Sequence, residues 1–391
     1  MGAELHVRPR PHDLWRQQRG AEERHRQAAV RDVIMGFETK PVIGGEMYEM
    51  ASRFATEAGE ELAAIAEAHA QAACIGRHWA GIAELGWMAT AIPETEGGAG
   101  GDLADLASLA AGAGRAALAL PVAASCGVVP VLLAGHPILA DVASGKARVA
   151  AILPGAARDA DGKALSAAKA LDGDAVGVET PPDPTHVALA IGGDEAVLLL
   201  VPTGAAGLQT ATYLRIDWRL AADFHFGHVA IQPEWIVARG AQAMRRAEAA
   251  RDVGALLTGV ECVSAMGALV EQTIHYLLNR VQFGQPLATY QALRHRVAEM
   301  YVEYETLRGI VSRALRAAQS GEEASQAISF AKLRLGEAGR AVAESAIQCH
   351  GGMGMTEELP ANRLCKRLMM AEFEFGNRVF HATRLLAGQE A

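Results

Sequence analysis

The segment AEFEFGN, residues 371 to 377, sets Glu372 and Glu374 among phenylalanines just ahead of a Gly-Asn turn. Burial disfavours the charged form of a carboxylate and raises its pKa, so a glutamate held there could serve as a general base. It could equally be a structural carboxylate. Glu261, between Val260 and Cys262 on an apolar helical stretch, carries the same two readings. Two other stretches hold groups suited to an anionic ligand. RVQFGQPLATYQ, residues 280 to 291, offers the guanidinium fork of Arg280 to phosphate oxygens, the flat ring of Phe283, a tight turn at Gly284 and the two-sided amide of Gln291. QCHGGMGMTEELPANRLCKR begins at Gln348, and its Gly351, Gly352 and Gly354 allow a ligand close to the backbone. Taken singly, the first also reads as an interhelical loop and the second as a glycine-rich helix stop.

Other chemistries find less support. His295, His350 and His381 fall near helix ends, where capping or pairing is expected. AIPETEGGAGGD has glycines but neither GxxxxGK[ST] nor the preceding strand that GxGxxG requires. No CxxC pair and no Cys/His ligand spacing is read among Cys74, Cys126, Cys262, Cys349 and Cys365, so reduced thiols of a cytoplasmic protein, and no metal site, are expected. The net charge of −9 argues against nucleic acid or anionic membrane as partner, and no long unbroken apolar run is read as a membrane span.

The elements that must position these groups follow from periodicity. Residues are 50% apolar but only 5% aromatic, with alanine throughout, which favours close-packed helices. Residues 1–34, rich in arginine and histidine, read as a disordered extension or a start placed too early, with Met35 as the alternative start. Residues 35–146 read as a helical domain, with Asp102 as a helix N-cap. Residues 147–245 change to short apolar runs, including a hairpin HVALAI-GGDE-AVLLLVP, and read as a small β-barrel domain. Residues 246–391 read as a four-helix bundle. Leu256, Val260, Val263, Gly267, Val270, Ile274 and Leu277 fall on one face of its first helix, and Pro360 suits the first turn of its last.

Together, and in this order within one bundle, RVQFG with its following glutamine and QCHGGMG resemble the acyl-CoA dehydrogenase family. The resemblance spans roughly residues 45 to 388 and includes AELGWMATAIPETEGGAGGD. It implies helical, β and four-helix-bundle domains, bound FAD, and oxidation of an acyl-CoA to the α,β-enoyl-CoA. A glutamate removes the α-proton, the β-hydrogen leaves as hydride to the flavin, and an electron-transfer flavoprotein takes the electrons. Arg280, Phe283 and Gln291, with Gln348, Gly351, Gly352 and Gly354, match family positions that reach across a subunit interface to the pyrophosphate and adenosine end of the neighbour's FAD. The positions that hold a subunit's own flavin, in a stretch like LTEPxAGSD followed by a tryptophan-containing strand, are not matched by AILPGAARDADGKALSAAKALDGDAVGVET.

The base is also displaced. Counting from Pro360 places Phe375 at the glutamate position, with Glu374 one residue early. The alternative base position used by some members falls on Gly254, followed by Ala255, with Asp252 offset by two. This pattern implies one subunit of a hetero-oligomeric enzyme, similar to bacterial enzymes acting on bulky steroid-derived acyl-CoA thioesters. A second acyl-CoA dehydrogenase-like subunit would complete the shared FAD site. A self-sufficient homo-oligomer using Glu374 or Glu261, and a non-enzymatic scaffold with a vestigial flavin site, are the other readings.

Overall fold

The computed structural model describes residues 37–166, 170–193, 195–321 and 324–387, so the reading of residues 1–34 lies outside the described residues. Helices α1 (Glu46–Ala63) and α2 (Ala68–Glu84) form where alanine alternates with polar residues at helical spacing. In α1, Ala51, Ala55, Ala58 and Leu62 recur three or four apart and make its buried face. Helix α3 (Leu103–Gly114) begins at the expected cap. The backbone N–H groups of Ala104 and Asp105 donate to Asp102 Oδ1 at 2.7 and 3.1 Å, and Asp102 N–H donates back to Asp105 Oδ2 at 3.0 Å. A π-helical stretch over Ala123–Val128 runs into α4 (Val129–Leu132), and α5 (Leu139–Ala143) closes the domain.

The β domain contains β1 (Val149–Ile152), β2 (Ala157–Arg158), β3 (Ala170–Glu179), β4 (His186–Ile191), β5 (Val197–Pro202), β6 (Leu208–Leu214), β7 (Leu220–Ala230) and β8 (Ile236–Arg239). The expected barrel takes the form of two four-stranded sheets, ordered β1-β4-β5-β8 and β2-β3-β7-β6. All neighbours are antiparallel except β1 and β4, and the expected hairpin pairs His186 with Pro202 through Ile191 with Val197. Val187, Leu189, Leu199 and Val201 of the first sheet pack with Leu171, Phe224, Phe226 and Val229 of the second. The opposite face of the first sheet, Ala188, Ala190, Leu198 and Leu200, is covered by helical residues including Leu132, Ala243 and Ala247. A sheet covered on both faces has no polar side, hence the unbroken runs HVALAI and AVLLLVP.

The C-terminal domain is organised by α6 (Gly240–Asn279), a helix of 40 residues. The sequence predicts one buried face, but every residue from 254 to 270 is buried, because α6 is the axis around which the other elements pack. Its most apolar window satisfies the length and composition of a membrane span, yet 94% of it is buried inside the molecule. A hairpin of β9 (Val281–Gln282) and β10 (Gln285–Pro286) leads to α7 (Gln291–Ser320), followed by α8 (Ala324–His350), α9 (Pro360–Ala371) and α10 (Arg378–Ala387). Pro360 sits in the first turn of α9, as its fixed φ favours.

Glycine brings α3 against α6 and against α1. A Cβ on Gly114 would lie 2.1 Å from the backbone oxygen of Glu261, and one on Gly112 2.6 Å from that of Tyr48. Backbone cannot move aside as a flexible side chain can. Gly114→Ala is therefore expected to destabilise the fold by about 1–3 kcal/mol, the usual cost of overpacking. Urea denaturation checks this, with a lowered midpoint as the expected result.

Candidate active site

Between α9 and α10 the chain makes the tight turn of residues 372–377. Phe375 has φ 53° and Gly376 φ 105°, both in the left-handed region. For phenylalanine this is a strained conformation that its surroundings must enforce. Lys332, buried on α8, donates from Nζ to the carbonyl oxygens of Glu372 and Gly376, each at 2.9 Å. His381 Nε2 lies 3.2 Å from the Phe375 carbonyl oxygen. Burial pushes the Lys332 amine down to about 8, and burial together with Lys332 pushes His381 down to about 4.

The ring of Phe375 seats on Gly254 of α6: a Cβ there would lie 2.5 Å from Phe375 Cδ1. The two positions suggested for a base are thus side by side, one a phenyl ring and the other a glycine that admits it. Asp252, two residues before Gly254, pairs through both carboxylate oxygens with Arg384, and Ser325 Oγ donates to it at 2.5 Å.

Glu374 and Glu261 both enter a buried lattice of arginines. Arg367 donates from Nη1 and Nη2 to Glu374 at 2.7 and 2.8 Å, and from Nε and Nη2 to Glu261 at 2.7 and 3.0 Å. Arg215 donates from Nη2 to Glu374 at 2.8 Å and holds Asp217 through Nε and Nη2 at 3.0 and 2.6 Å. Arg219 donates to Glu261 at 2.5 Å, to Glu179 at 2.9 Å and to the backbone oxygen of Leu118. Three arginines thus face four carboxylates. Arg215, Asp217 and Arg219 come from the β6–β7 connection, where RIDWR makes a turn closed by the Arg215 N–H donating to the Arg219 carbonyl oxygen at 2.8 Å.

Burial alone would raise the pKa of Glu374, but the Arg367 and Arg215 guanidinium groups outweigh it and hold the carboxyl well below the usual range. Glu179 moves the other way, because burial and the charge of Glu374 raise it against a smaller pull from Arg219. A proton carried by Glu179 would balance the lattice at three charges of each sign. General-base catalysis favours a pKa near the working pH and a free oxygen facing substrate. Glu374 has instead a strongly depressed pKa and both oxygens bound by arginine.

The other predicted group lies at one end of the bundle. Arg280 ends α6, and Phe283 (φ 53°) with Gly284 (φ 81°) makes the two-residue turn of the β9–β10 hairpin, both residues in the left-handed conformation such a turn requires. Gln291 opens α7. Gln348 lies in the last turn of α8, and Gly351–Met355 forms a single 3-10 stretch after it. Stacking of Tyr276 on His350, with ring centroids 4.5 Å apart, joins the ends of α6 and α8 and so brings both motifs to the same side. Arg280, Gln291, Gln348, Gly351 and Gly352 are all exposed, and Phe283 is 90% exposed. A Cβ on Gly351 or Gly352 would meet nothing within 4 Å, whereas Gly354 is buried and receives Asn362 Nδ2 on its carbonyl oxygen at 2.9 Å.

Two models of one family match this chain, "Acyl-CoA dehydrogenase, N-terminal domain" over residues 45–142 and "Acyl-CoA dehydrogenase, C-terminal domain" over residues 239–387. The chain belongs to the acyl-CoA dehydrogenase family. Members of this family are oxidoreductases acting on acyl-CoA. Acyl-CoA dehydrogenase IpdE2 of Mycobacterium tuberculosis is 29% identical over 288 residues, covering 73% of this chain and 77% of that relative. The same fold is seen in the ChsE4-ChsE5 complex from Mycobacterium tuberculosis, with a TM-score of 0.76, 18% identity and coverage of 88% and 96% of the two chains. It recurs in a variant of the Tcur3481-Tcur3483 steroid ACAD, with a TM-score of 0.73, 23% identity and coverage of 88% and 99%.

Away from these groups, Glu61, Cys74 and His78 of this family member converge at the α1–α2 hairpin, the last two one helical turn apart. The arginine lattice leaves little trace in the sequence. RIDWR lies between strands too polar to stand out, and Arg367 sits on a helix whose apolar face hides what a buried arginine does.

Glu374→Gln leaves buried guanidinium groups short of a counter-charge and is expected to cost about 3–5 kcal/mol. Glu179→Gln, which mimics a carboxyl already pushed toward neutrality, is expected to cost far less. A folded-state pKa below the unfolded one stabilises above the unfolded value and loses that contribution as pH falls. The gap between wild type and Glu374→Gln should accordingly be full at neutral pH and shrink below about pH 4. Thermal denaturation of both variants across pH checks the order and the sign.

Proposed function

We propose that this chain is one subunit of a hetero-oligomeric, FAD-dependent acyl-CoA dehydrogenase that forms an α,β-enoyl-CoA from a bulky acyl-CoA. It supplies the trans half of a partner's flavin site and lacks a base of its own. The observation that carries this reading is the Phe375 ring seated on Gly254, with Glu374 and Glu261 both bound by arginines. A partner of the same fold with a free glutamate would remove the α-proton.

The residues fit FAD on one side only. The exposed fork of Arg280 suits pyrophosphate oxygens, the amides of Gln291 and Gln348 suit the adenosine end, and the open backbone at Gly351 and Gly352 admits a ligand closely. When bound, FAD supplies the acceptor for the β-hydrogen, and an electron-transfer flavoprotein takes the electrons onward. On this subunit's own side, residues 153–163 contain no serine or threonine hydroxyl, and Arg251 Nη2 donates to the carbonyl oxygen of Pro154 at 2.8 Å. The likeness to a two-subunit complex and to a steroid ACAD supports an unlike partner and a steroid-derived acyl group. Five buried, unpaired cysteines are in keeping with a cytoplasmic setting.

The visible spectrum of the purified chain, alone and co-expressed with a candidate partner subunit, tests the proposal. The chain alone is expected to be colourless and inactive, and the co-expressed complex yellow and active. Stoichiometric flavin and turnover with the chain alone would favour the homo-oligomer. Absence of flavin with every partner of this fold would leave a scaffold.

A further inference from the structure

Three potential metal ligands meet at the α1–α2 hairpin, away from the arginine lattice. Cys74 and His78 lie one turn apart on the inner face of α2, and Glu61 comes from the last turn of α1. His78 Nε2 is 2.9 Å from Glu61 Oε2 and 3.5 Å from Cys74 Sγ, and the three donor atoms lie within 4.8 Å of one another. Cys74 is fully buried, His78 nearly so, and the Glu61 side chain reaches solvent. Arg77 holds the other carboxylate oxygen, Oε1, and leaves Oε2 turned toward the cluster.

We propose that Glu61, Cys74 and His78 form a three-ligand site for a divalent zinc ion, with water as the fourth ligand. Tetrahedral zinc bonds of about 2.0–2.3 Å place ligand atoms roughly 3.3–3.8 Å apart, a spacing these side chains reach with small rotamer adjustments. The alternative use of a cysteine, a histidine and an acid is a nucleophile with its base. That arrangement puts thiol and carboxylate on opposite ring nitrogens. Here both converge on Nε2, as ligands do around a common ion. A thiolate and an imidazole select zinc over magnesium or calcium. One thiolate, one carboxylate and a neutral imidazole balance the double charge. Binding sends the thiol proton to solvent and moves the imidazole proton to Nδ1, with no change of oxidation state.

The test is to strip the full-length chain with a chelator, in whatever oligomer it purifies, and titrate it first with cobalt and then with zinc. One equivalent of cobalt should give a sulfur-to-metal charge-transfer band in the difference spectrum, which zinc then abolishes. Cys74→Ser should remove the band. Glu61→Gln, at an exposed position that leaves folding intact, should weaken zinc binding at least about tenfold. Absence of the thiolate band in the wild-type chain, or zinc affinity unchanged in Glu61→Gln, would overturn the site. The Glu61 variant keeps the test decisive if Cys74→Ser does not fold.

Discussion

Arg367 is the residue on which the rest of the structure depends. Fully buried on α9, it holds Glu261 of the central helix with one part of its guanidinium and Glu374 of the following turn with another. Arg215 and Arg219 extend the lattice into the β domain, and Arg219 reaches the backbone of Leu118 in the N-terminal domain. Two domains therefore share one set of buried charges, and the third is tied to it through a backbone carbonyl. Each ion would be costly without the others, since a lone buried charge keeps its desolvation penalty and loses its compensation.

The lattice also fixes what the neighbouring residue can do. With Glu374 drawn toward Arg215 and Arg367, Phe375 must turn to the opposite side, and its left-handed backbone is clamped by Lys332 and His381 through the carbonyl oxygens. The ring then occupies the space beside Gly254. A shift of one residue between Glu374 and the expected base position is thus a change of environment, from the space beside Gly254 to the ionic core.

Much of the fold was legible. The capping box at Asp102, the hairpin of β4 and β5, and Pro360 at the start of α9 follow from local chemistry that tertiary structure did not override. The second sheet is harder to see, because β3 alternates buried with exposed residues, β6 is exposed along most of its length, and both carry Gly, Asp or Thr with little apolar signal. The central helix shows in its periodicity as a one-faced stripe, since period counting finds a stripe even where every position is buried. The lattice is the least legible element. Ion pairs such as Arg367–Glu261 and Arg215–Glu374, more than 100 positions apart, leave no spacing to read, and each arginine looks like a surface residue until its partners are known.

On the proposed reading, the enzyme gives up one of two symmetric sites and keeps the residues that serve the other. The flavin content of the purified complex of this chain with the proposed unlike partner measures that division directly. One FAD for each pair of unlike subunits is the expected result. Two FAD per pair, with both sites reduced by the acyl-CoA, would contradict it.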